Sequence, residues 1–89
     1  MFTSWGRETV KKYSKAQISN ALSELENTEK YGFVLRAKGV LECECGKWIY
    51  FDYVPGEPDI RIGSASTIGK ICVIGADIKE DLIADLFNL

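Results

Sequence analysis

The sequence predicts an α+β domain: a two-layer, mostly antiparallel sheet of four or five strands with two helices on one face. Three observations predict it. Residues 31–54 (YGFVLRAKGVLECECGKWIYFDYV) form two long runs of strand-like composition around a short turn at Gly46-Lys47, the pattern of a hairpin. Two further segments, one behind Ser14 and one behind Asp77, repeat apolar residues at helical spacing after a capping signal. The 89 residues fit one domain, residues 1–89. Its core must be thin, because a chain of this size buries only about 60–65% of its unfolded surface, which suits two layers better than three.

The elements follow in order. Phe2 to Val10 (FTSWGRETV) alternates roughly and carries Thr, Trp and Val, so it predicts a first strand. Ser14-Lys-Ala-Gln17 is a capping-box pattern in which the Ser14 hydroxyl can accept from a first-turn amide while Gln17 reaches back. Behind it Ile18, Ala21, Leu22 and Leu25 recur at i, i+3, i+4 and i+7, and Asn27-Thr28 ends that helix. In the first arm of the hairpin, a period of two puts Phe33, Leu35, Ala37, Leu41 and Cys43 on one face. Val34, Arg36, Lys38, Val40, Glu42 and Glu44 fall on the other. The second arm, Trp48 to Val54, is dense in aromatic and β-branched residues.

Val54-Pro-Gly-Glu-Pro58 breaks this arm, since each proline removes an amide donor and fixes φ. Asp59 to Ile62 is expected as a short extra strand with Ile60 and Ile62 facing one way. Lys70 to Gly75 (KICVIG) is the most uniformly apolar run and is placed centrally in the sheet. Asp77, with Glu80 three residues on, opens a last helix whose buried face is Ile78, Leu82, Ile83, Leu86 and Phe87. The first strand, first helix and second strand then make a right-handed crossover, with a further strand between the two, a ferredoxin-like split β-α-β order.

Composition narrows the function. A net charge of −2 argues against nucleic-acid or anionic-membrane binding, both of which need clustered Lys and Arg. No apolar run approaches the ~20 residues of a membrane span, and the N-terminus lacks a signal-peptide pattern. Three cysteines at spacings that fit no disulfide framework point to a reducing, cytoplasmic setting. The chain has no histidine, which removes the commonest general base together with the commonest metal ligand.

Three constellations could carry chemistry. Gly63 to Lys70 (GSASTIGK) resembles a phosphate-binding loop but has five residues between its glycines instead of four, Ile71 after the lysine, and a strand where a helix should follow. It reads as a surface loop. Cys43-Glu-Cys45 places two thiols two residues apart on a strand, where both could grip one soft ion such as Zn²⁺ or Cu⁺. A closed site wants four ligands, and Cys72 is expected in the core instead. In Arg36-Ala-Lys38-Gly39, two cations share a strand face and Gly39 permits close backbone approach or a bulge. If Trp48 or Tyr50 lies on the same face, the surface pairs aromatic anchors with basic groups and suits a protein partner, because aromatic residues and Arg dominate interface energetics. The alternative is a solvated face cross-paired to Glu42, Glu44 or Asp52. Carboxylates such as Asp52, Glu57 and Asp59 have no nearby base, nucleophile or apolar pocket, so no catalytic residue is expected.

Tyr31-Gly-Phe-Val-Leu-Arg-Ala-Lys-Gly39, then Trp48 and Phe51-Asp-Tyr, then Val73-Ile-Gly75 before an amphipathic helix, resemble the C-terminal domain of the CobW family. These are GTPases associated with cobalamin synthesis and metal delivery, and the likeness covers nearly the whole chain. Phe2-Thr-Ser-Trp5 also resembles the family's first strand. The resemblance implies that the phosphate-binding loop, magnesium ligands and cysteine metal motif belong to a GTPase domain, none of which is in these residues. It carries only Arg36, Lys38 and Gly39 over, as the family's hallmark strand.

The expected function is therefore a non-catalytic interaction and regulatory domain of a CobW-like GTPase in cobalamin biosynthesis or metal-cofactor insertion. Its partner would be a CobW-like GTPase domain, in the parent chain or in trans, with a metalloprotein or cobalamin-pathway client beyond it. Arg36, Lys38, Gly39, Trp48 and Tyr50 are the partner-binding candidates. No cofactor is expected in this chain itself, and Zn or Co would be carried by the parent protein. Two other classes stand beside this one: a small metal-binding module using Cys43 and Cys45, and a stand-alone domain binding a ligand or nucleic acid on its open sheet face. That free face could also self-associate.

Overall fold

The computed structural model describes residues 2–89. Nine elements follow one another: β1 (Phe2–Thr9), β2 (Lys12–Tyr13), α1 (Lys15–Glu24), α2 (Thr28–Tyr31), β3 (Phe33–Cys43), β4 (Trp48–Val54), β5 (Glu57–Gly63), β6 (Gly69–Ala76) and α3 (Glu80–Leu86). The sheet runs β1-β6-β3-β4-β5, every neighbouring pair antiparallel, and the two-residue β2 adds a parallel pairing to the end of β3. β6 lies between β1 and β3, so the expected split β-α-β order is present. Two additions exceed the expected four or five strands and two helices: the short β2 and the single-turn α2.

The start of α1 follows the sequence closely. The Ser14 hydroxyl accepts from the Gln17 amide at 3.1 Å and the Gln17 side chain accepts from the Ser14 amide at 2.8 Å, closing the capping box. Ile18, Ala21, Leu22 and Leu25 are all buried against the sheet. Asn27 does not simply end the helix. Its side chain accepts from the Lys30 amide and caps α2, whose Tyr31 is buried.

On the sheet the core-facing residues are Trp5, Ala37, Leu41, Ile49, Phe51, Tyr53, Ile71 and Val73, which meet the helices in one cluster. The expected phase of β3 is wrong at its beginning. A bulge between Val34 and Arg36 sets two residues opposite one, so Val34 turns into the core at 4% exposure while Phe33 and Leu35 stay at 58% and 44%. From Ala37 onward the expected alternation holds.

At the other end of the chain, Asp77 does not cap the last helix. It adopts φ 54° in the connection from β6, and α3 begins at Glu80 without a side-chain cap. Ile78, Ile83 and Phe87 are buried as expected, but Leu82 is 39% exposed. The C-terminal end of α3 is held from outside: the Tyr13 hydroxyl donates to the Phe87 carbonyl at 2.6 Å, and the Lys11 ammonium donates to the Asn88 carbonyl.

Candidate functional site

All three helices cover one face of the sheet, so the residues that alternate with the core form a second, open face. The cross-strand registers arrange it in rows. Phe2, Ala76 and Phe33 make one, and Ser4, Ile74 and Arg36 the next. Gly6, Cys72, Lys38, Asp52 and Asp59 make the third. Glu8, Lys70, Val40, Tyr50 and Arg61 make the fourth.

The middle of this face is hollow. Gly6 has no side chain and Cys72 a short one, and between taller neighbours they leave a groove of 640 Å³ whose lining includes Lys38, Val40, Tyr50 and Lys70. Cys72 is half-buried on this open face, contrary to its expected place in the core. Its position follows from the strand period, since Ile71 and Val73 on either side are the core residues.

The structure brings four of the five partner-binding candidates onto the open face and removes one. Arg36, Lys38, Trp48 and Tyr50 share it. Gly39 points the other way: a Cβ built there would lie 2.5 Å from the Lys70 carbonyl oxygen and 2.6 Å from the Phe51 ring. Gly39 is needed for close approach in the core, and the bulge lies elsewhere.

Arg36 is also committed. Its guanidinium donates to both oxygens of Asp52, at 3.2 and 2.8 Å. Those hydrogen bonds, with the charges of Arg36 and Lys38, hold the Asp52 carboxyl below the usual carboxylate range. The pair has a structural reason. Asp52 stands directly opposite Asp59, a repulsive cross-strand arrangement, and each carboxylate is matched by its own arginine, Arg36 and Arg61. Tyr50 lies over Gly63 and donates to the Ser64 carbonyl at 2.8 Å. Trp48 is half-buried between Glu42 and Gly63. Among the described residues, Lys38 and Lys70 have no carboxylate within ion-pair distance.

Cys43 and Cys45 are joined to each other in a disulfide, against the expectation that the spacing fits none. Cys45 is not on the strand but in the β3–β4 turn, and the chain's reversal at Gly46 (φ 86°) brings the two Cα atoms to 5.1 Å. In this state neither sulfur is a free thiolate for a metal. No group of three or more His, Cys, Asp or Glu side chains converges among the described residues. The loop of Ser64 to Ile68 leads directly into β6, with no helix behind it.

The apolar end of the open face was missed from the sequence. Phe2, Phe33, Leu35 and Ile74 are all exposed there, two of them because of the bulge. Only the run of apolar residues on both sides of position 34 signalled it, as a strand with no polar face.

No family model matches the sequence, and no curated protein matches it. Solved structures do match the fold. The Zn(II)-bound YjiA GTPase from E. coli superposes with a TM-score of 0.80 at 18% identity, over 98% of this chain and 29% of that one. A Zn(II)-bound triple mutant of YjiA gives a TM-score of 0.81 at 18% identity over the same shares. At this identity the likeness is one of fold, and this chain spans less than a third of the GTPase chains it matches. The fold is the CobW-like C-terminal fold that the sequence resemblance implies.

Proposed function

We propose that this chain is a non-catalytic docking and regulatory domain of a CobW-like GTPase, serving cobalamin biosynthesis or metal-cofactor insertion, and that the open face of its sheet receives the GTPase domain. The observation that carries this reading is the apolar end of that face. Phe2, Phe33, Leu35 and Ile74 are 70%, 58%, 44% and 40% exposed and sit on three adjacent strands. Clustered large apolar side chains facing water mark a surface that another protein covers. Beside them Lys38 and Lys70 supply cations with no carboxylate within ion-pair distance among the described residues, and Trp48 and Tyr50 supply aromatic anchors, which suits a mixed protein interface.

The choice of occupant rests on the fold comparison. This fold makes up 29% of a GTPase chain, so the rest of such a chain is its natural neighbour. Nucleotide chemistry would belong to that neighbour, and so would any zinc or cobalt.

The test is calorimetry of this domain against a CobW-type GTPase domain from the same genome, with GTP, with GDP and with no nucleotide. Nucleotide-dependent binding is expected. Phe33→Glu with Leu35→Glu should weaken it at least ~10-fold, about 1.4 kcal/mol, while the far-UV CD spectrum stays unchanged. Binding that is absent in all three states, or indifferent to the double variant, refutes the proposal.

A further inference from the structure

The Cys43–Cys45 disulfide stands outside the docking face, and three features bear on its purpose. It is a poor staple. It joins residues two apart, and closing so short a loop removes little entropy from the unfolded chain. The turn is already closed without it, by the Cys43 amide to the Lys47 carbonyl at 2.7 Å and the Gly46 amide to the Cys43 carbonyl at 3.0 Å. The two sulfurs are also unequal. Cys43 is buried at 7% exposure at the end of β3, whereas Cys45 is exposed on the turn, so a thiolate arriving from solution reaches Cys45. Finally, the Cys45 amide donates to Cys43 Sγ at 3.2 Å. A donor is thus already in place on the sulfur that becomes charged when the bond opens.

We propose that Cys43 and Cys45 form a reversible two-electron dithiol–disulfide couple that exchanges with thiol reductants. A thiolate of the reductant attacks Cys45 Sγ and bonds to it. The Cys43–Cys45 bond breaks, and its electron pair goes to Cys43 Sγ, which leaves as a thiolate beneath the Cys45 amide. A second reductant thiolate, from the same molecule of a dithiol or from another molecule of a monothiol such as glutathione, then attacks the reductant sulfur of the mixed disulfide and expels Cys45 as a thiolate. Two electrons and, after protonation, two protons pass to this chain, and the reductant becomes a disulfide. Oxidation reverses each step with the disulfide form of the same reagent class. In a compartment whose thiols are kept reduced, an exposed short-loop disulfide is of the exchanging and not the structural kind. Cys72, on the sheet face, takes no part.

The test uses the full chain carrying Cys72→Ser, so that only this pair reports. The protein is equilibrated in glutathione buffers from fully reduced to strongly oxidised, quenched with an alkylating agent and weighed. Two alkyl groups at the reducing end and none at the oxidising end are expected, and any mixed disulfide between them carries its glutathione on Cys45. Cys45→Ala should shift Tm by less than ~3 °C, as befits a bond that is no staple. Three results overturn the proposal: a disulfide that survives the whole reducing range, two free thiols throughout, or two glutathione adducts in place of an internal bond.

Discussion

Gly39→Ala tests which face of the sheet Gly39 serves. A Cβ at this position meets the Lys70 carbonyl oxygen at 2.5 Å and two atoms of the Phe51 ring at 2.6 and 2.7 Å. Phe51 is 2% exposed and lies against Phe87, with ring centroids 6.2 Å apart and planes 16° from parallel. The ring can retreat only by disturbing that contact, and the carbonyl belongs to the β6 ladder and cannot retreat cheaply. Overpacking of this kind costs about 1–3 kcal/mol, and a backbone clash belongs at the upper end. Replacing glycine returns about 0.5–1 kcal/mol by restricting the unfolded chain. The net loss is about 2 kcal/mol, a fall in Tm of roughly 8–16 °C for a domain of this size. Urea and thermal unfolding followed by CD would read it. Gly6→Ala is the control, because its Cβ would meet nothing closer than the Ile71 oxygen at 3.6 Å, and a change within about 0.5 kcal/mol is expected. Combining Gly39→Ala with Phe51→Leu should cost less than the sum of the two by about 1 kcal/mol, since the smaller side chain relieves the ring contact. A Gly39→Ala protein as stable as the parent, or strict additivity in the double variant, would refute the assignment of Gly39 to the core.

Further predictions rest on particular contacts. Val34→Ala should cost roughly 2 kcal/mol while Leu35→Ala stays within about 0.5 kcal/mol, measured by urea unfolding; the reverse order would deny the bulge. Tyr13→Phe should cost about 1–2 kcal/mol because the Phe87 carbonyl loses its buried donor. Tyr53→Phe should be neutral or stabilising because the Tyr53 hydroxyl is buried without a partner among the described residues, and a loss above about 1 kcal/mol would contradict that. Burial raises both phenols, and the Glu26 charge adds to the effect at Tyr53. The unfolded chain therefore releases these protons first, so stability is full below the ordinary tyrosine range and falls as pH rises through it. Arg36→Ala should move the Asp52 titration up toward the ordinary carboxylate range, read by NMR. In the parent protein that ion pair's contribution is present above this range and is lost as pH falls through the lowered Asp52 pKa. An Asp52 midpoint that does not move would show the bidentate contact to be absent in solution.

The order of the five main strands with α1 and α3, the α1 capping box and stripe, the β3–β4 hairpin and the interior place of the KICVIG strand were legible in the residues, because each rests on a local rule. Capping joins groups three residues apart, and helix and strand periods repeat within one segment. The end of α1 and the start of α3 were less legible, since Asn27 and Asp77 are residues that serve equally as caps, turns or left-handed positions.

The candidate site divides along the same line. In the second arm a strand period of two puts Trp48, Tyr50 and Asp52 on one face, as the register has them. It could not reveal the extra residue in β3, because Phe33, Val34 and Leu35 are all apolar and a slip among them leaves no trace in composition. That bulge decides which of them enters the core and so creates the apolar end of the open face. The partner of Arg36, the orientation of Gly39 toward Phe51 and the groove over Gly6 and Cys72 depend on which strands lie side by side. Local periodicity determined what each strand is. Only the β1-β6-β3-β4-β5 order, set by burial of one common core beneath the helices, decided which side chains meet.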